Sequence, residues 1–237
     1  MNIETIQDAI LASGLDGWLF FDHHRRDPLA YRILGIPGHV TATRRWYYFI
    51  PAKGAPRKLV HRIESQILDA LPGSKQAYSS WQEQHTRLKD MLSGCSRIAM
   101  QYSPNCAIPY VSLVDAGTVE LVRSLGVEIV SSANMVQEFE ARLSEKQFAA
   151  HIEAGRRVDR ARREAFEFIG QRIRSGERIN DYDVKQFILK QFEQNGLTTD
   201  HGPIVAVNEH ASDPHYEPTS DAASPIRRGD FVLIDMW

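Results

Sequence analysis

The sequence predicts two domains, which belong to the α/β and α+β classes. Over residues 1–137, apolar runs of strand type alternate with segments of helical periodicity, which is typical of a compact α/β unit. A linker at 138–143 leads to residues 144–237, where a long helix, a shorter helix and two strands follow one another. A length of 237 residues suits this division.

The composition argues against several classes of protein. Hydrophobic residues make up 43% of the chain, which is enough to bury a core. The net charge is −2, so no strong positive field attracts nucleic acid or an anionic membrane. No apolar run approaches the ~18 residues that span a bilayer. Cys95 and Cys106 fit no metal or disulfide spacing, and we see no signal peptide, so we expect a cytoplasmic protein.

The first domain contains a regular series of predicted elements. The predicted helices cover residues 3–12, 28–34, 64–71 and 81–92, with a further helix within 111–126. The predicted strands cover residues 18–21, 46–50, 58–60, 97–100 and 127–130. The series contains no glycine-rich phosphate loop, so nucleotide binding is not indicated.

Two pairs of basic residues in this domain have alternative interpretations. His23 and His24 suggest a metal site, but neighbours on an extended segment point to opposite faces, which disfavours it. Arg44 and Arg45 precede an aromatic run at 46–50 that suggests a stacking platform for nucleic acid. The acidic net charge favours a strand in the core of a sheet instead.

The second domain opens with the clearest helix, predicted for residues 144–174 with Ser144 as its cap. Its many arginines suggest binding to RNA or a membrane. The interspersed acidic residues favour a solvated face instead. Asn180 caps a second helix, and Asp183 lies at the position that completes a capping box.

The end of the chain organises the rest. Residues 204–207 form a short apolar strand, residues 208–225 form a polar loop, and residues 231–234 form a second strand that ends in Asp235. A carboxylate directly after four apolar residues is costly to bury unless a positive partner meets it. A metal ion is one such partner.

These residues resemble the start of the catalytic domain in the pita-bread metallopeptidases. The resemblance rests on I-V-A-V-N at 204–208, the pair His215-Tyr216, and G-D-F-V-L-I-D at 229–235. It is strongest for the branch with Xaa-Pro aminopeptidases, prolidases and creatinase, whose N-terminal mixed-sheet domain residues 1–137 also resemble. The resemblance implies that His215 is catalytic and that Asp235 is the first metal ligand. His201 is a candidate for the substrate-binding pocket.

The resemblance also implies what the chain lacks. The family site holds two divalent metal ions (Mn, Zn, Co or Fe) with two Asp, one His and two Glu side chains. Because the sequence ends two residues after Asp235, we expect the chain to be truncated within its catalytic domain. Most of the metal ligands would then be missing, so we expect this chain to retain no metal and to be inactive alone.

For the complete protein, the resemblance implies metal-dependent hydrolysis of Xaa-Pro peptide bonds, of aminopeptidase P or prolidase type. The expected partners are a peptide or small-molecule substrate and a second copy in a homodimer, without nucleic acid or membrane. One alternative is a non-peptidase enzyme on the same scaffold, creatinase-like or a lyase, since fold does not decide function. Another is a non-catalytic binding or dimerisation module.

Other polar residues near the end of the chain compete as site residues. Glu209 and His210 are consecutive loop residues that the resemblance does not single out. Asp230 follows a glycine and is better explained by turn chemistry. Asp213 and Asp221 are loop carboxylates without a predicted role.

Overall fold

A computed structural model describes residues 2–237, which form two compact units that divide between Arg142 and Leu143. The N-terminal unit has helices α1 (Ile3–Ala12), α2 (Pro28–Leu34), α3 (Trp81–Met91), α4 (Ala116–Ser124) and α5 (Ala133–Glu140). Its strands are β1 (Gly17–Asp22), β2 (Trp46–Pro51), β3 (Arg57–His61), β4 (Ser74–Tyr78), β5 (Arg97–Met100) and β6 (Glu128–Ser131). Helix α5 extends three residues into the segment predicted as a linker.

The six strands form one mixed sheet in the order β4-β3-β2-β1-β5-β6. Strand β2 is antiparallel to both of its neighbours, β1 and β3, whereas the pairs β3–β4, β1–β5 and β5–β6 are parallel. The carboxyl ends of five strands, all except β2, therefore lie at the same end of the sheet. This arrangement confirms the mixed-sheet domain that the sequence predicted.

Helices cover both faces of this sheet, which explains its continuous apolar strands. In β1, Trp18 and Phe20 belong to one core cluster together with residues of α1, α2 and α5. Leu19 and Phe21 point to the other face and pack with residues of α3 and α4. All six residues of β2 are buried as well, so the aromatic run at 46–50 is core and not a nucleic-acid platform.

The helix predicted for residues 64–71 is wrong. The structure has a 3-10 turn at Arg62–Glu64 and then successive turns, with backbone bonds such as Leu71 N–H to Leu68 O at 3.1 Å. The buried Lys58 ammonium group binds the carbonyl oxygens of Leu68 and Leu71. These two carbonyl groups lie at the end of the segment, and their contact with Lys58 is not visible in the local periodicity.

Strand β4 was missed because its sequence is polar. Its residues read SKQAY, the first three are exposed, and it lies at the edge of the sheet, where one side remains unpaired. Parallel pairing with β3, from Arg57↔Ser74 to His61↔Tyr78, makes it a strand. Edge strands of this composition resist unwanted pairing with other chains.

The C-terminal unit consists of helices α6 (Glu145–Arg174) and α7 (Asp181–Gln194), followed by strands β7 (Ile204–Val207) and β8 (Val232–Asp235). The predicted capping box of Asn180 with Asp183 begins α7. Ser144, which was predicted as a cap, begins α6 and forms a capping box with Gln147 as well. The core of this unit contains Ala165, Ile188 and Val205, which come from α6, α7 and β7. No helix within residues 2–237 is long and apolar enough to cross a membrane.

Asp27 is a buried carboxyl group that caps helix α2. Its Oδ1 accepts a hydrogen bond from the backbone of Ala30 at 2.9 Å, while its Oδ2 has no partner among the described residues. Burial raises the pKa of Asp27 to about 7, and the nearby charge of Asp22 acts in the same direction. In the unfolded chain this carboxyl group binds its proton less tightly, with a pKa of about 3.9.

The sign of this shift predicts how stability depends on pH. The contribution of Asp27 is fully present below pH ~4 and is lost as the pH rises through about 7. We expect Asp27→Asn to raise the free energy of unfolding by about 1–3 kcal/mol at pH 8, and to change it little at pH 4. Urea unfolding of both proteins at the two pH values measures this difference.

Asp115→Asn is the matched control, since Asp115 caps helix α4 with hydrogen bonds to Thr118. Burial opposes ionisation of Asp115, but the hydrogen bonds from Thr118 outweigh it and its pKa is lowered. This variant should therefore lose stability at pH 8. A stabilised Asp115→Asn, or an Asp27→Asn effect independent of pH, would contradict the assignment.

The two-sided sheet predicts a large cost for truncating its central strand. Leu19 is 0% exposed, so we expect Leu19→Ala to lower the free energy of unfolding by about 2–5 kcal/mol. Leu11 is 45% exposed on α1, and Leu11→Ala should change stability by less than about 0.5 kcal/mol. Equal effects in urea unfolding would show that Leu19 is not a core residue.

Candidate functional site

The C-terminal unit contains a cavity of about 580 Å³ at one end of the β7–β8 pair. His201, His215 and Asp235, which the sequence analysis singled out, all line it. The carboxylates of Asp200 and Glu217 share this lining with them. The fold thus brings together residues that lie up to 35 positions apart in sequence.

Pairing of the two strands places Asp235 at the cavity. The strands are antiparallel, with Val207 opposite Val232 and Ile204 opposite Asp235. Asp235 therefore ends β8 beside the start of β7, which directly follows the loop that carries His201. Asp235 is exposed, since β8 pairs only with β7 among the described residues.

His215 lies in the loop between β7 and β8, with an exposed side chain. Its backbone N–H donates to Oδ1 of Asp213 at 2.9 Å, so Asp213 supports the loop although the sequence suggested no role for it. The preceding residue, Pro214, has a restricted φ. The next residue, Tyr216, stacks on His210 with ring centroids 4.3 Å apart.

Asp181, the first residue of α7, anchors this loop, and the sequence analysis missed it. Its carboxylate is fully buried and accepts hydrogen bonds at 2.8 Å from Tyr216 Oη, Ser224 N and Tyr182 N. Burial raises the pKa of Tyr216, and its hydrogen bond to Asp181 acts in the same direction, so the phenol remains a donor at neutral pH. The sequence feature that could have indicated Asp181 is a second Asp, besides Asp183, in the first turn of α7.

A second contact from the same helix reaches the cavity wall. Lys185 Nζ lies 2.7 Å from Oε1 of Glu217, and the Lys185 side chain is 9% exposed against 73% for Glu217. The hydrogen bond from Lys185 lowers the pKa of Glu217. Lys185 passes beneath Gly202, where an added Cβ would lie 3.2 Å from Lys185 Cε. A side chain at position 202 would therefore crowd this lysine.

The described residues do not fit a metal ion by themselves. Within residues 2–237, no group of three His, Cys, Asp or Glu side chains is placed to hold one. Hard divalent cations need several oxygen ligands, and Asp235 supplies a single carboxylate. We therefore assign no chemical step to a metal ion held by these residues alone.

The competing loop residues have structural explanations. Asp230 accepts hydrogen bonds from Arg227 N at 2.7 Å and from Asn208 Nδ2 at 3.0 Å, which confirms the predicted turn chemistry. His210 supports Tyr216 by stacking. Asp221 accepts a bond only from the neighbouring Ser220, at 3.2 Å, within the described chain.

The basic motifs elsewhere form no comparable site. His23 and His24 lie in a turn and not on the extended segment that was assumed, and their rings are 4.4 Å apart. They belong to no metal-binding group of three among residues 2–237. On α6, Arg157 pairs with Glu153 at 2.8 Å and Arg162 with Asp159 at 2.7 Å on an exposed face, which confirms the prediction of a solvated, charge-balanced surface.

Comparison with known proteins was made for sequence and for fold. The chain matches none of the curated proteins with which it was compared. Among solved structures it is similar to the dipeptidase PepE from Mycobacterium ulcerans, with a TM-score of 0.61 and 17% identity over 98% of this chain and 58% of that one. The recombinant prolidase from Thermococcus sibiricus gives 0.57 and 17%, over 98% and 59%.

The Xaa-Pro dipeptidase from Bacillus anthracis gives a TM-score of 0.54 and 18% identity, over 98% of this chain and 59% of that one. The chain thus spans just under three fifths of the length of these proteins, and identities this low show the fold alone. The sequence pattern of metallopeptidase family M24 matches residues 149–237, which include α7, β7, β8 and all the cavity residues. The C-terminal part of this chain is therefore similar to metallopeptidase family M24, in a chain that has the fold of the corresponding part of the prolidases.

Proposed function

We propose that the complete protein hydrolyses Xaa-Pro peptide bonds with divalent metal ions, and that this chain supplies one wall of its active site. The observation that carries the proposal is the convergence of His201, His215 and Asp235 on one cavity inside the region of the M24 match. The solved relatives that are prolidases and Xaa-Pro dipeptidases support the substrate class.

His215 is the proposed catalytic residue. Its exposed side chain lines the cavity on a loop that is fastened on both sides, by Asp213 and by Tyr216. An imidazole can donate a hydrogen bond to the substrate amide or to the oxyanion that develops on its carbonyl. A donor held in place before the substrate arrives costs little reorganisation during the reaction.

Asp235 is the proposed metal ligand, and His201 is proposed to line the substrate pocket. Asp235 presents an exposed carboxylate at the cavity, where further ligands would have to join it to complete a metal site. When bound, paired metal ions would activate water and polarise the scissile carbonyl. His201 lies beside Gly202 and Pro203 and lines the same cavity as His215.

The role of His215 can be tested in the whole reading frame of the source gene, expressed and assayed with the dipeptide Ala-Pro and the tripeptide Ala-Pro-Ala. We expect His215→Ala to lower kcat/KM by about 10²- to 10⁴-fold, the usual effect of losing a general acid or base. The control His39→Ala removes an exposed histidine of the N-terminal unit and should leave kcat/KM unchanged. Purified whole protein with bound metal that turns over neither peptide would refute the peptidase assignment.

The shortage of metal ligands predicts weak metal binding by the 237-residue chain. Because the described residues offer no group of three ligands, we expect metal-free chain titrated with Mn²⁺ to hold less than one equivalent in calorimetry. Asp235→Asn should reduce whatever binding remains, whereas Asp221→Asn, a loop carboxylate outside the cavity lining, should not. One full, tightly held equivalent would show that the chain alone builds a site.

A further inference from the structure

Two residues of helix α7 are hydrogen-bonded to the loop that carries His215. Asp181 and Lys185 are four residues apart, so they lie one turn apart on the same face of the helix. Asp181 binds Tyr216 and Lys185 binds Glu217, which are the two residues directly after His215. Consecutive loop residues are thus fastened to consecutive turns of one helix.

The side chains of Asp181 and Lys185, which bind the loop, are both buried. Asp181 is 0% exposed and Lys185 is 8% exposed. A buried charge without partners is costly, so each of them requires its hydrogen bonds to remain formed. The loop residues are more exposed, Glu217 most of all, so the helix holds the loop and not the reverse.

His215 therefore lies between residues that are held in place on both sides of it. Before it, the restricted φ of Pro214 and the bond from His215 N–H to Asp213 limit the backbone. After it, Tyr216 is held at its hydroxyl by Asp181 and at its ring by His210. Ordering a free loop residue costs conformational entropy, and the folded unit has ordered His215 before any substrate binds.

We propose that Asp181 and Lys185 are positioning residues, which hold His215 at the cavity through Tyr216 and Glu217. This inference rests on the proposed function, because it assigns these residues to the reaction at that cavity. They act on His215 through the loop and are not themselves placed in contact with substrate. Preorganisation of this kind maintains a catalytic group within the narrow geometry that reaction requires.

The test uses the 237-residue chain, labelled with ¹⁵N, and the variants Tyr216→Phe and Lys185→Met. Tyr216→Phe removes one hydroxyl and retains the ring that stacks on His210. Lys185→Met removes the cation but keeps the buried stem, and it leaves only an exposed carboxylate without its partner. We expect the backbone order parameters of His215 and Tyr216 to fall from about 0.85 to below about 0.6 in either variant, while those of β7 and β8 do not change.

A ligand titration distinguishes a positioning role of Asp181 and Lys185 from a purely structural role. Titration with the dipeptide Ala-Pro should shift the His215 ring resonance, which is assigned with His215→Ala. We expect the apparent Kd to rise about tenfold in Tyr216→Phe and in Lys185→Met, as expected when one charge-assisted hydrogen bond is lost. Lys185→Arg, which keeps the cation beside Glu217, should recover part of the loss.

Asp183→Asn is the control within the same helix. It removes a carboxylate from the first turn of α7, and among the described residues the Asp183 side chain is hydrogen-bonded to the backbone of Asn180 and not to Tyr216 or Glu217. Its loop order parameters and its Kd should match those of the unsubstituted chain.

The outcomes are distinct. Unchanged order parameters in both Tyr216→Phe and Lys185→Met would overturn the proposal, as would a loss of order throughout β7 and β8, which indicates general destabilisation. The order parameters decide whether α7 holds the loop, whether or not the 237-residue chain responds to Ala-Pro, whereas the proposed function is decided by peptide turnover in the whole protein.

Discussion

The buried carboxylate of Asp181 is the interaction on which the C-terminal unit depends. It collects three hydrogen bonds at 2.8 Å from its own helix, from the Tyr216 hydroxyl and from the backbone of Ser224. A carboxylate removed from water is tolerated only when such donors replace its hydration. The long segment between β7 and β8 is fastened at two points, at residues 216 and 224, because Asp181 requires these donors.

This dependence explains how an exposed loop carries a candidate catalytic residue. Loops have few packing contacts, and their function depends on the scaffold that holds them. Here the scaffold is α7, which is itself held by its capping box and by core residues such as Ile188. The β7–β8 pairing supplies the other side of the cavity, since its register decides where Asp235 ends.

The N-terminal unit is organised by a different constraint. Its sheet is buried on both faces, so apolar side chains must alternate between two clusters along each central strand. Its polar exceptions are informative. Lys58 takes up carbonyl groups from the segment after β3, and Asp27 retains a buried carboxyl group at the start of α2.

The M24 match and the cavity concern the same residues, which strengthens the functional proposal beyond what the fold likeness gives alone. The match covers residues 149–237, and every residue that lines the cavity lies within it. Low-identity likeness to prolidases establishes architecture, and many chemistries share an architecture. The cavity supplies the chemical argument, because it places an imidazole and a carboxylate in one wall.

The sequence by itself determined the elements that depend on near neighbours. Helix caps such as Ser144 and Asn180, the periodicity of α6 and α7, and the apolar strands β1, β2 and β7 were predicted because their physics acts within a few residues. The resemblance also identified His215 and Asp235 as candidates, and the place of His201 before Gly202 and Pro203 made it a third. Only the tertiary structure decided that these three residues line one cavity, since that depends on the β7–β8 register.

The remaining features were decided by contacts between distant parts of the chain. Tyr216 and Asp181 are 35 residues apart, and a hydrogen bond over that separation leaves no local pattern. Strand β4 exists because β3 pairs with it, and the turns after β3 bring the carbonyl groups of Leu68 and Leu71 to the Lys58 ammonium group. Local sequence encodes propensity, whereas these outcomes follow from partners that the fold brings into reach.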